Sequence, residues 1–243
     1  MSVVRINLWS GPRNVSTALM YSFAQRSDTR VLDEPLYGHY LRVSGAPHPG
    51  AGEVMAHMDC DAARVLREVI LGPCDRPVLF MKQMAHHLVE IDRSFFAKTV
   101  NVLLIRDPEE MLPSLAETLA VPTLRDTGLA MQSALSQELR AIGQEPPVLD
   151  ARQLLLDPRG VLQQLCAALG IPFDEAMLHW PAGPRPEDGI WAKHWYQNVH
   201  RSTGFLPYQG KDGPFPDALR PLLAECKPHY EVLAQVAIRA NNG

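Results

Sequence analysis

The chain has 243 residues, 46% of them hydrophobic and 21% charged, which is enough to bury a sizeable core in one large domain spanning residues 1–243. The net charge of −4 at pH 7 gives no general attraction to nucleic acid or to an anionic membrane, so we expect neither as a partner. The four cysteines are scattered without metal-ligand spacing, and the sequence lacks signal-peptide and membrane-spanning patterns, so we expect a cytoplasmic protein with reduced thiols and no metal.

Short apolar runs alternate with helical patterns along the chain. In chain order they predict strand Val3–Trp9, helix Val15–Arg26, strand Arg30–Leu32, a polar loop over Gly38–Gly52, helix Asp59–Leu71, strand Pro77–Met81, helix Ile91–Ala97, strand Thr99–Ile105, helices Glu109–Leu119 and Thr127–Ile142, strand Pro147–Asp150, and helix Arg159–Leu169 ending at Gly170. An irregular region rich in proline and tryptophan follows over about residues 174–215, and helix Pro216–Ala240 closes the chain. The alternation predicts a three-layer α/β fold whose central parallel sheet of about five strands is flanked by helices.

The connection after the first predicted strand has the composition of an anion site. Ser10–Thr17 joins that strand to a helix and carries a glycine, a cation and hydroxyl groups. The first N–H groups of a helix have no intrahelical acceptor and lie at the positive end of its dipole, so a phosphate or sulfate fits there. The Gly-Lys-Ser/Thr ending of an ATP-binding loop is absent, and a tight turn with Asn14 or Ser16 capping the helix is the alternative. Arg13 favours the anion site, because a turn does not need a long cation whereas a transferring group does.

A second basic position follows the predicted strand Thr99–Ile105. Arg106 lies at the end of this strand, and Ser114 comes eight residues later inside the next helix, so the two could clamp one phosphate. The alternative is ordinary helix-start chemistry, in which Asp107 is the N-cap and Pro108 occupies the first helical position. Both interpretations can hold together, which leaves Arg106 to be explained as a ligand or as part of a salt bridge.

Acidic residues follow the second predicted strand, in the sequence Asp33-Glu34-Pro35-Leu36. Ligands of open parallel sheets bind beyond the carboxyl ends of the strands, so a carboxylate here is placed to act as a base. We therefore predict that Glu34 is a catalytic base, which would work better if burial raised its pKa above the free value of about 4.3. The alternative is that Glu34 only caps a helix or forms a salt bridge.

Together these segments resemble the motifs of the sulfotransferase family, whose members use 3′-phosphoadenosine-5′-phosphosulfate (PAPS). Ser10–Thr17 looks like the family's 5′-phosphosulfate loop, and the segment from Arg106 to Ser114 looks like its 3′-phosphate motif. The Glu-Pro-Leu sequence after Asp33 resembles the carbohydrate-type and trehalose-type branches, so the chain looks closer to bacterial and carbohydrate-type members than to cytosolic ones. The resemblance covers most of the chain to about Phe173 and implies a P-loop NTPase-like fold.

The resemblance also implies a reaction and a set of site residues. The sulfuryl group of PAPS would move to a hydroxyl or amine of a small-molecule acceptor, with no metal required. Arg13 and Lys82 would stabilise the sulfuryl oxygens, Glu34 would take the acceptor's proton, and His86 is the rival base. The residues implied to bind PAPS here are Gly11, Pro12, Arg13, Asn14, Val15, Ser16, Thr17, Arg106 and Ser114.

The segment after strand Pro77–Met81 departs from the cytosolic branch of the family. That branch ends the equivalent strand with Lys-x-His, and its histidine is the base. This chain has Lys82 but carries Met84 at the histidine position, with His86 and His87 following. A lone histidine is more often structural than catalytic, so either histidine could instead belong to the core.

The irregular region carries a cluster of aromatic and basic residues over Trp191–Phe205. Family members have a late basic loop that contacts the 3′-phosphate and the adenine, which makes Arg201, Ser202 and Thr203 candidates for the same contact. The cytosolic Arg-Lys-Gly motif is absent, so this correspondence is loose. The alternative is a loop whose tryptophans pack on the core while its cations are solvated.

Two other functions are compatible with the sequence. One is an ATP-dependent small-molecule kinase, which the missing Gly-Lys-Ser/Thr ending disfavours. The other is a non-catalytic nucleotide-binding protein, because a fold does not fix a function. The sequence leaves the acceptor's identity open, and a homodimer is compatible with it.

Overall fold

The central element of the fold is a parallel sheet whose strands match the apolar runs of the sequence. The computed structural model describes residues 3–210 and 213–241, so residues 211 and 212 of the predicted irregular region lie outside the described residues. Within this part of the chain there are six strands: β1 Val4–Ser10, β2 Thr29–Asp33, β3 Val78–Met84, β4 Val100–Ile105, β5 Val148–Asp150 and β6 Ala237–Ile238. They lie in the order β2-β3-β1-β4-β5-β6, which confirms the predicted parallel α/β sheet.

Helices connect and flank the strands. They are α1 Ser16–Ala24, α2 Tyr37–Ser44, α3 Ala51–His57, α4 Ala62–Arg64, α5 Pro108–Ala116, α6 Leu124–Thr127, α7 Leu129–Ala141, α8 Ala151–Leu156, α9 Pro158–Leu169, α10 Ala192–Trp195, α11 Gln197–His200 and α12 Arg220–Ala234. A π-helical turn, Val65–Ile70, continues α4, and 3-10 turns cover Ala85–His87, Ser94–Lys98, Glu175–Leu178 and Asp217–Leu219. The helix α9 ends at Gly170 with φ 68°, as predicted for a glycine cap. No helix in the described ranges is long and apolar enough to cross a membrane.

The structure differs from the sequence prediction at three places. Gly38–Gly52 is not a polar loop, because α2 and α3 occupy most of it. Tyr37, Tyr40 and Leu41 of α2 are buried at the i, i+3, i+4 spacing of a helix, but the glycines and prolines of this segment favour a loop in the sequence. The helix α8 after β5 and the two-residue strand β6 were not predicted, and β6 is too short to show any period.

The described residues form two compact units. The first contains residues 3–8, Ser16–Asn101 and Asp174–Gly204. In it, α2 and α3 share a hydrophobic cluster with the segment Trp191–Tyr196; the members are Tyr37, Tyr40, Leu41, Val54, Trp191, Ala192 and Tyr196. Two tryptophans of the irregular region are therefore buried, Trp180 at 3% and Trp191 at 4% exposure, whereas Trp195 is 36% exposed.

The second unit contains Trp9–Val15, Val102–Phe173 and the described residues from Phe205 onward. Its core is formed where α5, α7 and α12 pack together through Met111, Leu112, Leu115, Leu129, Leu223 and Cys226. Strands β5 and β6 and all of β4 from Val102 onward belong to this unit, and β5 pairs in parallel with both of the others. It is this packing that fixes the start of α5, where Arg106 and Asp107 lie.

Candidate functional site

Two of the predicted site residues have a backbone conformation that side-chain-bearing residues rarely adopt. Arg13 has a φ of 53° and Glu34 a φ of 44°, and Glu90 is the only other non-glycine residue with positive φ in the part of the chain that the structure describes. Such conformations cost of order 1–3 kcal/mol each and concentrate at functional sites. The strain therefore supports both positions as parts of a site rather than as ordinary turn residues.

Arg13 is held from two sides by the residues predicted to bind the 3′-phosphate. Its Nε donates a hydrogen bond to Ser114 Oγ at 2.8 Å, and its carbonyl oxygen accepts one from Arg106 Nη1 at 2.6 Å. The next residue of the loop, Asn14, is also held in place, because its Nδ2 donates a hydrogen bond to the Leu104 carbonyl oxygen at 3.1 Å. Arg106 and Ser114 thus brace the strained Arg13 turn, whatever else they bind.

Gly11 is the loop position that excludes a side chain. A Cβ added there would collide with the backbone carbonyl oxygen of Thr127. On the other side of the contact, Gly128 has a φ of 74°, which only glycine adopts at little cost. The approach of these two backbones fixes where the loop leaves β1.

Replacing Gly11 by Ala is therefore expected to lower the stability of the fold by about 1–3 kcal/mol, because the new methyl group meets backbone that cannot give way. Thermal or denaturant unfolding followed by circular dichroism measures this loss. Gly52→Ala is the matched control, since Gly52 lies in α3 with open space around it and should gain up to about 1 kcal/mol. Equal unfolding midpoints for Gly11→Ala and the unchanged protein would contradict the close approach.

The structure confirms the helix-start interpretation of the segment from Arg106 to Ser114, and the phosphate clamp stays a prediction. Asp107 is the N-cap of α5, with Oδ1 accepting from the Glu109 N–H at 2.8 Å, and proline follows it. Arg106 is free of that capping role and contacts the Arg13 carbonyl oxygen, with its Nε 3.7 Å from Glu110 Oε2. The predicted helix start is confirmed, and Arg106 has a separate role in holding the loop.

Two residues near Arg106 were not predicted from the sequence. Tyr208 donates a hydrogen bond from its hydroxyl to Glu110 Oε1 at 2.5 Å. The guanidinium of Arg152 lies over the Tyr208 ring, 5.0 Å from its centroid, a distance typical of a cation–π contact. Glu110 thus connects Arg106 to an aromatic residue that no motif singled out.

A second cluster, in the first unit, surrounds Lys82. The structure places Lys82 inside β3 rather than after it, where the parallel register pairs it with Asp33 of β2. Its ammonium donates to Asp33 Oδ1 at 2.9 Å, to Glu34 Oε1 at 2.5 Å and to Tyr196 Oη at 2.6 Å. These three bonds use all three of its protons, and the side chain is 2% exposed.

Burial and charge act in opposite directions on this cluster. Burial raises the pKa of Glu34, the Lys82 ammonium opposes that rise, and the Asp33 carboxylate adds to it. Burial alone would lower the pKa of Lys82, but the carboxylates of Asp33 and Glu34 raise it well above its usual range. Lys82 is therefore a fixed cation, and Glu34 takes up a proton more readily than a free glutamate does.

The structure brings His87 next to Glu34. His87 Nε2 is 3.9 Å from Glu34 Oε2, and the imidazole stacks on Tyr37 and Tyr40 at centroid distances of 5.0 and 4.6 Å. Burial, together with neighbouring histidines and Lys82, lowers the pKa of His87 well below its usual range, so it is neutral. His86 packs edge-on against His87 and Tyr40, and its role as a base stays a prediction.

The three candidates of the late loop lie in the first unit. Ser202 is buried; its hydroxyl donates to the Val199 carbonyl at 2.7 Å and accepts from Trp180 Nε1 at 3.2 Å. Arg201 and Thr203 are exposed, and the Arg201 guanidinium donates to Asn198 Oδ1 at 2.5 Å. Ser202 therefore has a structural task, and the proposed nucleotide contact of all three residues stays a prediction.

One family model covers nearly the whole chain, and the curated relatives carry a different name. A family model described as "Sulfotransferase domain" matches residues 4–237. Branched-chain-amino-acid aminotransferase-like protein 2 of Arabidopsis thaliana is 39% identical over 229 residues, which cover 94% of this chain and 41% of that protein. The chain thus spans about two fifths of the length of this curated relative.

Solved structures show the same fold at low sequence identity. The sulfotransferase domain from the Synechococcus PCC 7002 olefin synthase has a TM-score of 0.54 and 19% identity, covering 92% of this chain and 94% of that one. A sulfotransferase from Alicyclobacillus acidocaldarius has a TM-score of 0.55 and 13% identity, covering 98% and 97%. The predicted fold is therefore confirmed by independent structures.

Proposed function

Because the chain belongs to the sulfotransferase family, we propose that it transfers the sulfuryl group of PAPS to a hydroxyl or amine of a small-molecule acceptor. The observation that carries this proposal is the Arg13 turn. A guanidinium on a strained backbone is held there by Arg106 and Ser114, the pair implied to bind the 3′-phosphate. A donor that carries a phosphate at one position and a phosphosulfate at another has two anionic groups, which could pair with the neighbouring cations Arg13 and Arg106.

The donor would be held by the loop of residues 11–17 together with Arg106 and Ser114. Arg13 uses Nε for Ser114, so its two terminal nitrogens, which have no partner among the described residues, can bind the sulfuryl oxygens. Ser16 and Thr17 open α1, where free N–H groups and hydroxyls suit the 5′-phosphate. Arg106 carries a full positive charge for the 3′-phosphate.

Sulfuryl transfer resembles phosphoryl transfer, so positioning and charge stabilisation supply most of the catalysis. The acceptor oxygen or nitrogen forms a bond to sulfur while the bond from sulfur to the bridging phosphate oxygen breaks. The products are the sulfated acceptor and adenosine 3′,5′-bisphosphate (PAP). Glu34 takes the proton of the acceptor group and later releases it to water.

The hydrogen bond between Glu34 and Lys82 links proton uptake by Glu34 to the charge stabilisation that Lys82 provides. When Glu34 takes the proton it loses its negative charge, and the hydrogen bond that it accepts from Lys82 weakens. The Lys82 ammonium then has a proton to offer to the negative charge that develops on the transferring group. Base and cation are thereby coupled through one 2.5 Å hydrogen bond.

Arg106→Ala is expected to weaken PAP binding by about 10- to 100-fold, because a charged hydrogen-bond donor to phosphate contributes roughly 1.5–3 kcal/mol. Isothermal titration calorimetry with PAP measures the change. Arg67→Ala is the control, since Arg67 is exposed and forms an ion pair with its neighbour Glu68. Unchanged PAP affinity in Arg106→Ala would remove the basis for assigning this residue to the donor.

The activity itself is tested with PAPS radiolabelled in its sulfuryl group and pools of hydroxyl and amine compounds. The expected result is transfer of label to an acceptor with release of an equal amount of PAP. Binding of PAP with no transfer to any pool would favour a non-catalytic nucleotide-binding protein instead. Transfer of the terminal phosphate of ATP to an acceptor would indicate a kinase.

A further inference from the structure

We propose that Asp33 and Tyr196 are positioning residues that fix the Lys82 ammonium between two carboxylates and thereby set how readily Glu34 accepts a proton. This inference rests on the proposed role of Glu34 as the base, and it concerns two residues to which neither the motifs nor the family resemblance gave a task. Both belong to the same compact unit as Lys82 and Glu34. Neither is proposed to touch the donor or the acceptor.

Asp33 accepts hydrogen bonds on both of its carboxylate oxygens. Its Oδ1 accepts from Lys82 Nζ at 2.9 Å, and its Oδ2 accepts from Tyr196 Oη at 2.7 Å and from the Gly189 N–H at 3.1 Å. The side chain is 2% exposed. These three donors hold both oxygens in place, and one of the donors is the Lys82 ammonium.

Tyr196 is oriented as strictly as Asp33. Its hydroxyl donates to Asp33 Oδ2 and accepts from Lys82 Nζ at 2.6 Å and from Trp191 Nε1 at 3.2 Å. One donated and two accepted bonds use the whole capacity of a hydroxyl group, so its proton can point only at Asp33. The Lys82 ammonium also lies over the tyrosine ring, 5.0 Å from the centroid.

The consequence for Glu34 follows from the count of charges around it. Lys82 is one cation that donates hydrogen bonds to two carboxylates. The hydrogen bonds from Tyr196 and Gly189 hold Asp33 in place beside it. Titratable groups near Glu34 include His87, which is neutral and stacks on Tyr37 and Tyr40, His86 packed against His87, His48 bonded to the Tyr37 hydroxyl, and the hydroxyls of Tyr37 and Tyr196. The negative charge of Asp33 therefore offsets part of the stabilisation that Lys82 gives to the Glu34 carboxylate. This leaves Glu34 basic enough to remove a proton.

Asp33→Asn keeps the shape of the side chain but removes its charge. Glu34 is then the one carboxylate that remains hydrogen-bonded to the Lys82 ammonium. The Glu34 carboxyl should then titrate at a pH lower by roughly one unit or more, because an unshared cation favours the charged form. A ¹³C NMR titration with labelled glutamate follows this carboxyl, whose resonance is assigned by its loss in Glu34→Gln. A titration midpoint that stays the same or rises would overturn the inference.

Tyr196→Phe is the second variant, and it keeps the ring over Lys82. We expect the Glu34 midpoint to move in the same direction by a smaller amount, and kcat to fall about 10-fold with the KM for PAPS nearly unchanged. The matched control is Tyr230→Phe, which removes a tyrosine–aspartate hydrogen bond of 2.7 Å at Asp150 in the other unit. It should leave the Glu34 titration where it is, and an equal shift in this control would also overturn the inference.

The two measurements separate this inference from the proposed function. The NMR titration needs no acceptor, so it decides the roles of Asp33 and Tyr196 even if no sulfuryl transfer is detected. Where the unchanged protein is active, the acid limb of its kcat profile should move to lower pH in Asp33→Asn together with the titration. If Asp33→Asn is active and neither the acid limb of its kcat profile nor its Glu34 titration midpoint moves, the proposed sulfotransferase activity stands and the positioning role is refuted.

Discussion

Glu34→Gln is expected to lower sulfuryl transfer by about 10²- to 10⁴-fold, the usual contribution of a positioned general base. The amide keeps the shape of the side chain and can still accept a hydrogen bond from Lys82, but it cannot take up the acceptor's proton. The affinity for PAP should stay within about twofold, because Glu34 has no part in donor binding in the proposed mechanism. Steady-state kinetics with PAPS, beside calorimetry with PAP, measures both quantities.

The control for this substitution is Glu117→Gln, at the exposed C-terminal end of α5. It makes the same chemical change without touching the Lys82 cluster and should leave both activity and PAP affinity unaltered. Because burial raises the pKa of Glu34, the activity of the unchanged protein should fall on acidification at a higher pH than a free glutamate would give. Full activity in Glu34→Gln would show that another group, with His86 or His87 the first to test, removes the proton.

Lys82→Met is expected to have the largest effect on folding, lowering the free energy of unfolding by about 3–5 kcal/mol at neutral pH. The substitution leaves the carboxylates of Asp33 and Glu34 buried beside each other without their cation. Their pKa values should then lie above those of the unfolded chain, so the folded state binds more protons than the unfolded one. The deficit should accordingly shrink as the pH falls and the carboxylates become protonated, and grow as the pH rises.

Denaturant unfolding at a series of pH values measures this deficit. Lys193→Met is the control, because Lys193 and its partner Glu53 are about half exposed, and such pairs contribute about 0–1 kcal/mol. Its stability should show little dependence on pH relative to the unchanged protein. A loss for Lys82→Met that is small, or that is the same at every pH, would show that the buried cluster carries less charge than its hydrogen bonds indicate.

The sequence predicts which candidate residues follow the strands of this fold, for a physical reason. Arg13, Glu34 and Arg106 each follow a short apolar strand, and apolar strands are recognisable from a continuous run of buried residues. The capping of α5 by Asp107 is equally local, since a proline and two acids directly after the cap carry the signal. These features depend on neighbours within a few residues, which a single sequence displays.

The parts that escaped prediction depend on contacts between distant residues. Tyr196 contacts Lys82 across 114 positions of sequence, and it lies in a region whose prolines and aromatics show no period. Whether Arg106 braces the Arg13 carbonyl oxygen could not be read from the sequence either, because the positive φ of Arg13 is set by its tertiary partners. The place of the Tyr196 hydroxyl within the buried cluster of charges can be recognised only once the fold is known.

The most direct test of the account is a calorimetric comparison of PAP with ATP in the presence of Mg²⁺, on the same preparation of the protein. We predict that PAP binds one site per chain, that the site is weakened in Arg106→Ala, and that ATP with Mg²⁺ does not compete for it at equal concentration. The result that would contradict the account is tight, magnesium-dependent binding of ATP with no detectable binding of PAP.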